Sequence, residues 1–215
     1  GITGTNGKTT TTSLTYDIMK RHVKKALLVG NIEIPYTGYA LESNRDSVTV
    51  AEISSFQLET MVTFKPHVTA ILNITPDHLD RHKTLENYIA IKETITKNQD
   101  ENDFCVLNYN DPVLRKFGKT PRCKVIFFSS SEELESGVFL RGDTMIIKEN
   151  GVETPVCTTK DTSLVGMHNY ENIVAAIAMT HAMGVPLDTI RQGIKEFTAV
   201  EHRIEFVAEK NGVKY

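Results

Sequence analysis

The chain has 215 residues, 40% of them hydrophobic and 24% charged, which suits one globular α/β domain with a buried core. Its net charge of −3 gives no bulk attraction to nucleic acid or to an anionic membrane, and no apolar run approaches the ~20 residues of a membrane span. Cys105, Cys123 and Cys157 are widely spaced with no C-x-x-C pair, as expected of reduced, buried thiols in a cytosolic protein.

The chain opens on Gly1-Ile2-Thr3-Gly4-Thr5-Asn6-Gly7-Lys8-Thr9-Thr10, which reads as a phosphate-binding loop. Gly4 and Gly7 allow φ > 0 and bring bare N–H groups close to an anion. Lys8 is placed to reach β/γ-phosphate oxygens, and the Thr9 hydroxyl to ligate Mg²⁺. The helix expected next points its N-terminal dipole at the same phosphates. The general pattern G-x-x-x-x-G-K-[ST] is met only in its second half, because Ile2 stands where its first glycine belongs. Only three residues precede the loop, the chain does not start with Met, and Asn211–Tyr215 stops inside what reads as a hairpin, so the sequence is expected to be part of a longer one.

Further along, Leu14, Ile18 and Met19 at helical spacing predict a helix over Thr9–Arg21. Ala26–Gly30 reads as a short buried strand, followed by the loop Asn31–Pro35. Ser47–Ile53 is a second strand, ending in the carboxylate of Glu52. Val68–Ile74 is almost wholly apolar, as in a parallel strand covered on both faces. Thr75–Lys83 reads as polar loop and Leu85–Lys97 as a helix with Tyr88, Ile89, Ile91 and Ile95 near one face. Phe104–Leu107 and Val125–Phe128 are further buried strands. Gly137–Cys157 alternates short strands around Glu149-Asn150-Gly151, where Asn-Gly favours a type I′ hairpin. Asn169–Met183 is a helix with Gly184 at C′, Leu187–Phe197 another, and Ile204–Val207 the start of a last strand. Alternating strands and helices predict a doubly wound, mostly parallel α/β sheet of P-loop type with a small antiparallel β excursion. In such sheets ligands sit at the carboxyl ends of the strands, where the phosphate loop, Glu52 and Thr75–Lys83 all fall.

Several stretches carry candidate chemistry. A carboxylate at a strand end facing a phosphate loop, as Glu52 is, is a natural Mg²⁺ ligand, although alone it reads as a solvated loop acid. Asp77, His78, Asp80, Arg81 and His82 crowd ligand-type side chains just past a buried strand; their spacing fits no zinc motif and suits a hard cation or a phosphate. Asn169 and Asn172 share a helix face, and their amides can pair with an adenine edge or serve as ordinary caps. The planar fork of Arg203 can hold a phosphate or carboxylate, or lie on the surface.

Taken in order, Thr3–Thr10, Gly30-Asn31-Ile32, Glu52–Glu59, Asn73–His82, Gly166–Asn172 and His202–Glu205 resemble the Mur ligase family in its central ATP-binding domain, over essentially the whole chain. The resemblance implies ATP-dependent amide ligation in peptidoglycan precursor synthesis. The segments Glu52–Glu59 and Asp77–His82 look most like the branch that joins D-glutamate to UDP-N-acetylmuramoyl-L-alanine through an acyl phosphate. Polyglutamylating relatives differ after the first glutamate, and a non-catalytic nucleotide-binding module would not need a His78/Lys92 cluster. It implies that Gly4, Thr5, Asn6, Gly7, Lys8, Thr9 and Thr10 bind ATP phosphates, that Thr9 and Glu52 hold one Mg²⁺, and that His78 helps hold a second. Lys92 matches the family lysine that CO₂ carbamylates to support that second metal; without the motif context it reads as a helix-surface lysine. Asn31 resembles a residue near the muramoyl substrate and the phosphates, Asn169 and Asn172 resemble adenine contacts, and Arg203 resembles a nucleotide-phosphate contact. Glu33 departs from a position where the family often has glycine. Residues 1–207 are expected to be the central domain and 208–215 the start of a connection to a C-terminal domain that brings D-glutamate-binding residues. The N-terminal domain that binds the UDP moiety lies outside this chain, and the fragment is expected to be inactive alone.

Overall fold

In a computed structural model, the described residues are 1–32, 34–198, 209–210 and 213–214. In chain order the elements are β1 (Ile2–Thr3), α1 (Lys8–His22), β2 (Lys25–Gly30), β3 (Ser47–Glu52), α2 (Ser55–Glu59), β4 (Val68–Ile71), α3 (Leu79–His82), α4 (Leu85–Glu93), β5 (Phe104–Asn108), α5 (Pro112–Phe117) and β6 (Lys124–Ser129). There follow β7 (Gly137–Arg141), β8 (Thr144–Glu149), β9 (Val152–Thr158), α6 (Met167–Ala182), α7 (Leu187–Glu196) and a separate two-stranded pair, β10 (Glu209–Lys210) and β11 (Val213–Lys214).

Nine strands form one sheet in the order β2-β3-β1-β4-β5-β6-β7-β8-β9. It is parallel from β2 to β7 and antiparallel from β7 to β9. From β1 the chain crosses to β2 on one side, and from the adjacent β4 it crosses to β5 on the other. The crevice beyond the carboxyl ends of β1 and β4 is therefore the topological switch point. Successive strand residues feed opposite faces. Ala70, Leu72 and Val106 pack with Leu14 and Ile18 of α1, Ile173 and Ile177 of α6, and Ile190 and Ile194 of α7. Ile71, Cys105 and Leu107 pack with Leu58 of α2, Tyr88 of α4, and Leu114 and Phe117 of α5. Both faces are thus covered, which is why these strands read as continuous apolar runs.

The predicted helices and strands before residue 198 are all present, with ends shifted by one to a few residues. The expected helix to Lys97 ends as α4 at Glu93 and continues as a 3₁₀ turn over Thr94–Thr96. The hairpin at Asn150-Gly151 has φ of 52° and 78°, both left-handed, as a type I′ turn requires. The small antiparallel excursion is present and is joined to the main sheet. β7 adds in parallel to β6 through Phe128↔Val138 and Ser129↔Phe139, so the hairpin extends the main sheet. A hairpin signal specifies local pairing and is silent on which sheet edge receives it.

Helix α3 lies in the stretch expected as polar loop and α2 in one for which no element was expected; five and four residues are too few to display a helical period. A capping box marks α2: Gln57 N–H donates to Ser54 Oγ at 3.3 Å, and Ser54 N–H to Gln57 Oε1 at 2.8 Å. β1 meets β3 only at Glu52, so Ser47–Ala51 pair with β2 alone. An apolar cavity of about 790 Å³, lined by Val48, Val50, Met61, Phe64 and Met179 among others, runs beside them. Glu33, His202, Arg203 and the expected strand Ile204–Val207 lie outside the described residues.

Candidate active site

The loop between β1 and α1 turns on two glycines, Gly4 at φ 152° and Gly7 at φ 81°. Gly7 caps α1 without a side-chain hydrogen bond. The left-handed conformation requires glycine, and a Cβ on Gly7, 2.2 Å from Asn172 Oδ1, would force that side chain to move. Gly7→Ala is expected to destabilise the fold by about 1–3 kcal/mol, read as a lowered urea midpoint with an unchanged slope.

The loop is pinned to the segment after β4. Thr5 N–H donates to Asn73 O at 3.0 Å, Asn6 N–H to Asn73 Oδ1 at 2.8 Å, and Asn73 Nδ2 back to Asn6 O at 3.1 Å. Thr5 Oγ1 donates to Thr75 O at 3.1 Å and lies 3.2 Å from the Tyr88 hydroxyl. Lys8 Nζ folds back onto Thr5 O at 2.9 Å.

Glu52 ends β3 beneath this loop with only 2% of its surface exposed. Thr9 Oγ1 donates to its Oε2 at 2.8 Å and Asn31 Nδ2 to its Oε1 at 2.9 Å. Asn31 is brought there because β2 runs in register with β3 to the last residue, Gly30↔Glu52, and Asn31 N–H donates to Glu52 O at 2.9 Å. Gly30, at φ 102°, sits so close that a Cβ would be 2.1 Å from that carbonyl oxygen. A hydroxyl and a carboxylate side by side at a phosphate loop are hard oxygen donors, a fit for one Mg²⁺ whose remaining ligands come from water and phosphate.

Lys92 is buried, with 1% exposure, and α4 aims it at the phosphate loop rather than at solvent. Its Nζ donates to Gly4 O at 2.9 Å and Thr3 Oγ1 at 3.3 Å and lies 4.7 Å from the Tyr88 ring centroid. Burial, and then the nearby Lys8 cation, lower its pKa from the ordinary 10.5 to about 7. His78 caps α3 in a left-handed conformation, φ 50°, with its side chain 49% exposed. Its Nε2 is 3.5 Å from Asp77 Oδ2, and its ring centroid is 5.1 Å from that of Phe56. Among the described residues no three His, Cys, Asp or Glu side chains cluster to hold a metal. An ammonium group cannot ligate one either, so His78 and Lys92 fit a second cation only with Lys92 in an anionic form.

The two asparagines of α6 separate. Asn172 is buried against Gly7, and its Oδ1 accepts from Thr11 Oγ1 at 3.3 Å. Asn169 is half-buried, with Nδ2 donating to Val165 O at 2.9 Å. Gly166 caps the helix, so Asn169 does not. Sequence reasoning missed Asn73, Thr75 and the Tyr88 hydroxyl as partners of the loop. It also missed Glu171, whose carboxyl is pushed up by burial and accepts from Asn108 Nδ2 at 2.6 Å. Asn73, Thr75 and Glu171 lie in stretches that carry the family resemblance, but nothing local to any of these residues tells which partner it meets.

A glycine loop opening a helix at the switch point of a parallel sheet, with a hydroxyl–carboxylate pair beneath it, is the architecture of the phosphate-loop class of domains. The family model "Mur ligase middle domain" matches residues 2–180, and the chain belongs to the Mur ligase family. It is 52% identical over 214 residues to the UDP-N-acetylmuramoylalanine–D-glutamate ligase of Lachnoclostridium phytofermentans, covering 100% of this chain and 47% of that protein. It is 50% identical to the ligase of the same name from Lachnospira eligens, covering 48% of it. The chain thus spans about half the length of the curated relatives it matches. Among solved structures it superposes on MurF from Acinetobacter baumannii with a TM-score of 0.77 at 20% identity, covering 98% of this chain and 48% of that one. It superposes on MurF ligase from Thermotoga maritima in complex with ADP with a TM-score of 0.72 at 21% identity, covering 100% and 51%. These two likenesses show the fold, a mostly parallel α/β sheet with antiparallel strands.

Proposed function

We propose that this chain is the ATP- and Mg²⁺-binding middle domain of a cytoplasmic ligase that joins D-glutamate to UDP-N-acetylmuramoyl-L-alanine in peptidoglycan precursor synthesis. The observation that carries the phosphoryl chemistry is Glu52 held between Thr9 and Asn31 beneath the phosphate loop. The choice of substrates is supported by the names of the relatives and by the Glu52–Glu59 and Asp77–His82 segments. The sister domains, one for the UDP moiety and one contributing D-glutamate-binding residues, belong to the complete protein.

The amides of Gly4–Thr10 and the Lys8 ammonium bind the β- and γ-phosphates and draw charge from the γ-phosphoryl group as it transfers. A carboxylate oxygen of the muramoyl substrate attacks the γ-phosphorus and ADP leaves, giving an acyl phosphate. The amine of D-glutamate then attacks the acyl carbon, and the tetrahedral intermediate expels inorganic phosphate. Asn31, fixed on Glu52, faces the junction of substrate and phosphates. By resemblance, Asn169 and Asn172 are assigned to the adenine, and Arg203, outside the described residues, to a nucleotide phosphate. Thr9 and Glu52 would hold one Mg²⁺, and His78 with Lys92 a second; such ions neutralise phosphate charge during transfer. Lys92 joins that second site after its neutral amine adds CO₂ and loses one proton, becoming a carbamate anion. A pKa near 7 leaves much of the amine free for that addition.

The test uses the complete protein with ATP, Mg²⁺ and UDP-N-acetylmuramoyl-L-alanine, replacing D-glutamate by hydroxylamine. An ATP-dependent hydroxamate of the muramoyl substrate is expected. Its absence, in a protein that still turns over ATP with another acceptor, would overturn the substrate assignment.

A further inference from the structure

We infer that His82 is a positioning residue whose buried imidazole latches α2 to α3 and α4 and thereby keeps His78 and Lys92 in a fixed relation. The inference rests on the metal-dependent ligase reading above.

The His82 side chain is 0% exposed. Its Nε2 lies 3.0 Å from Ser55 Oγ, at the start of α2. Its Nδ1 faces Glu59 Oε1, at the end of α2, at 3.2 Å. The Glu59 approach is not aligned as a hydrogen bond, so its attraction is electrostatic. Arg81 Nη2 donates to the other oxygen of Glu59 at 2.7 Å and holds that carboxyl below its usual range, as an anion. A carboxylate facing Nδ1 favours the proton there, which leaves Nε2 to accept from the Ser55 hydroxyl.

The ring also joins two chains of contact to the candidate metal residues. On one side it stacks on Phe56, with centroids 5.6 Å apart and planes at 28°, and Phe56 in turn meets His78. On the other it packs 5.2 Å from Tyr88, whose ring lies under Lys92 Nζ and whose hydroxyl meets Thr5 of the phosphate loop. The backbone repeats the link: His82 N–H donates to His78 O at 3.0 Å, and Asn87 Nδ2 of α4 donates to His82 O at 3.1 Å. Packing between Phe56 and Tyr88 alone would be met by any aromatic ring. The imidazole adds a directional tie to Ser55 at a desolvation cost that an apolar ring would avoid. That tie acts on an element only five residues long, which has little stability of its own.

The experiment compares the complete protein with His82→Phe, which keeps the ring and loses both polar contacts, and His82→Gln, which keeps a polar atom towards Ser55. Carbamate on Lys92 is read by ¹³C NMR in ¹³C-bicarbonate, and the Mg²⁺ dependence of turnover is read beside the KM for ATP. Outer-shell partners typically change metal affinity about 10–100-fold. His82→Phe is expected to weaken the carbamate signal and to raise the Mg²⁺ requirement about 10-fold, with the KM for ATP little changed and His82→Gln recovering most of the loss. A folded His82→Phe with the parent's carbamate signal and Mg²⁺ curve overturns the inference alone. A parent with no carbamate, together with a fully active Lys92→Ala, removes the two-metal reading and the inference with it. If His82→Phe does not fold, Ser55→Ala deletes only the hydroxyl; a shift in the same direction supports the latch, and none overturns it.

Discussion

Lys8→Ala is expected to lower the turnover of the complete enzyme about 10³-fold, the scale seen when a group aimed at developing transition-state charge is removed. The loop amides and the α1 terminus remain in the variant, so nucleotide binding should weaken less than turnover falls. Lys8 also lowers the pKa of Lys92, so its removal should make the buried amine more basic and less open to CO₂. The variant is therefore expected to lose carbamate as well as phosphoryl transfer. Steady-state kinetics with ATP varied, beside a ¹³C-bicarbonate spectrum, checks both. Turnover within threefold of the parent would remove the phosphate-loop assignment.

Lys92→Met should separate function from stability. Activity is expected to fall about 10²–10³-fold, because His78 is left without an anionic partner for a second cation. Stability should move the other way. The folded-state pKa is about 7 against an ordinary 10.5, so between these values the unfolded chain holds a proton that the folded chain lacks. Without CO₂, the parent therefore gains stability as pH rises from 7 towards 10.5 and bears the full desolvation cost below 7. Met keeps the stem and has no proton to lose. The thermal midpoint of Lys92→Met should exceed the parent's at pH 7, and the advantage should shrink by pH 10. An equal difference at both pH values would show that Lys92 is not held with a depressed pKa.

The same residues show how far the sequence could be read. Gly4, Gly7, Lys8 and Thr9 announce their chemistry in a contiguous loop, because phosphate binding by backbone amides is a local property of a glycine turn opening a helix. The parallel strands were legible for a similar reason: a strand covered on both faces is largely apolar, and Val68–Ile71 is apolar but for Thr69. Lys92 stood at the opposite extreme. On a helix beginning Leu85-Glu86-Asn87 it reads as solvent-facing, and only resemblance to a family suggested a role. The structure buries it because α4 packs against α2, with Tyr88 in the same core as Leu58 and Ile71, and turns Lys92 towards Gly4.

By itself, the sequence determined the alternation of strands and helices, the phosphate loop, the left-handed Asn150-Gly151 turn and the apolar faces of α1 and α6. Each depends on backbone preferences or burial periods that act over a few residues. Tertiary structure alone decided that Asn31 and Thr9 share Glu52 and that Asn172 fills the space a side chain on Gly7 would take. It also decided that β7 joins β6 and that His82 sits between Ser55 and Tyr88. The partners of Glu52 and of Gly7 come from distant parts of the chain, and the strand order that sets β1 between β3 and β4 brings the phosphate loop over Glu52.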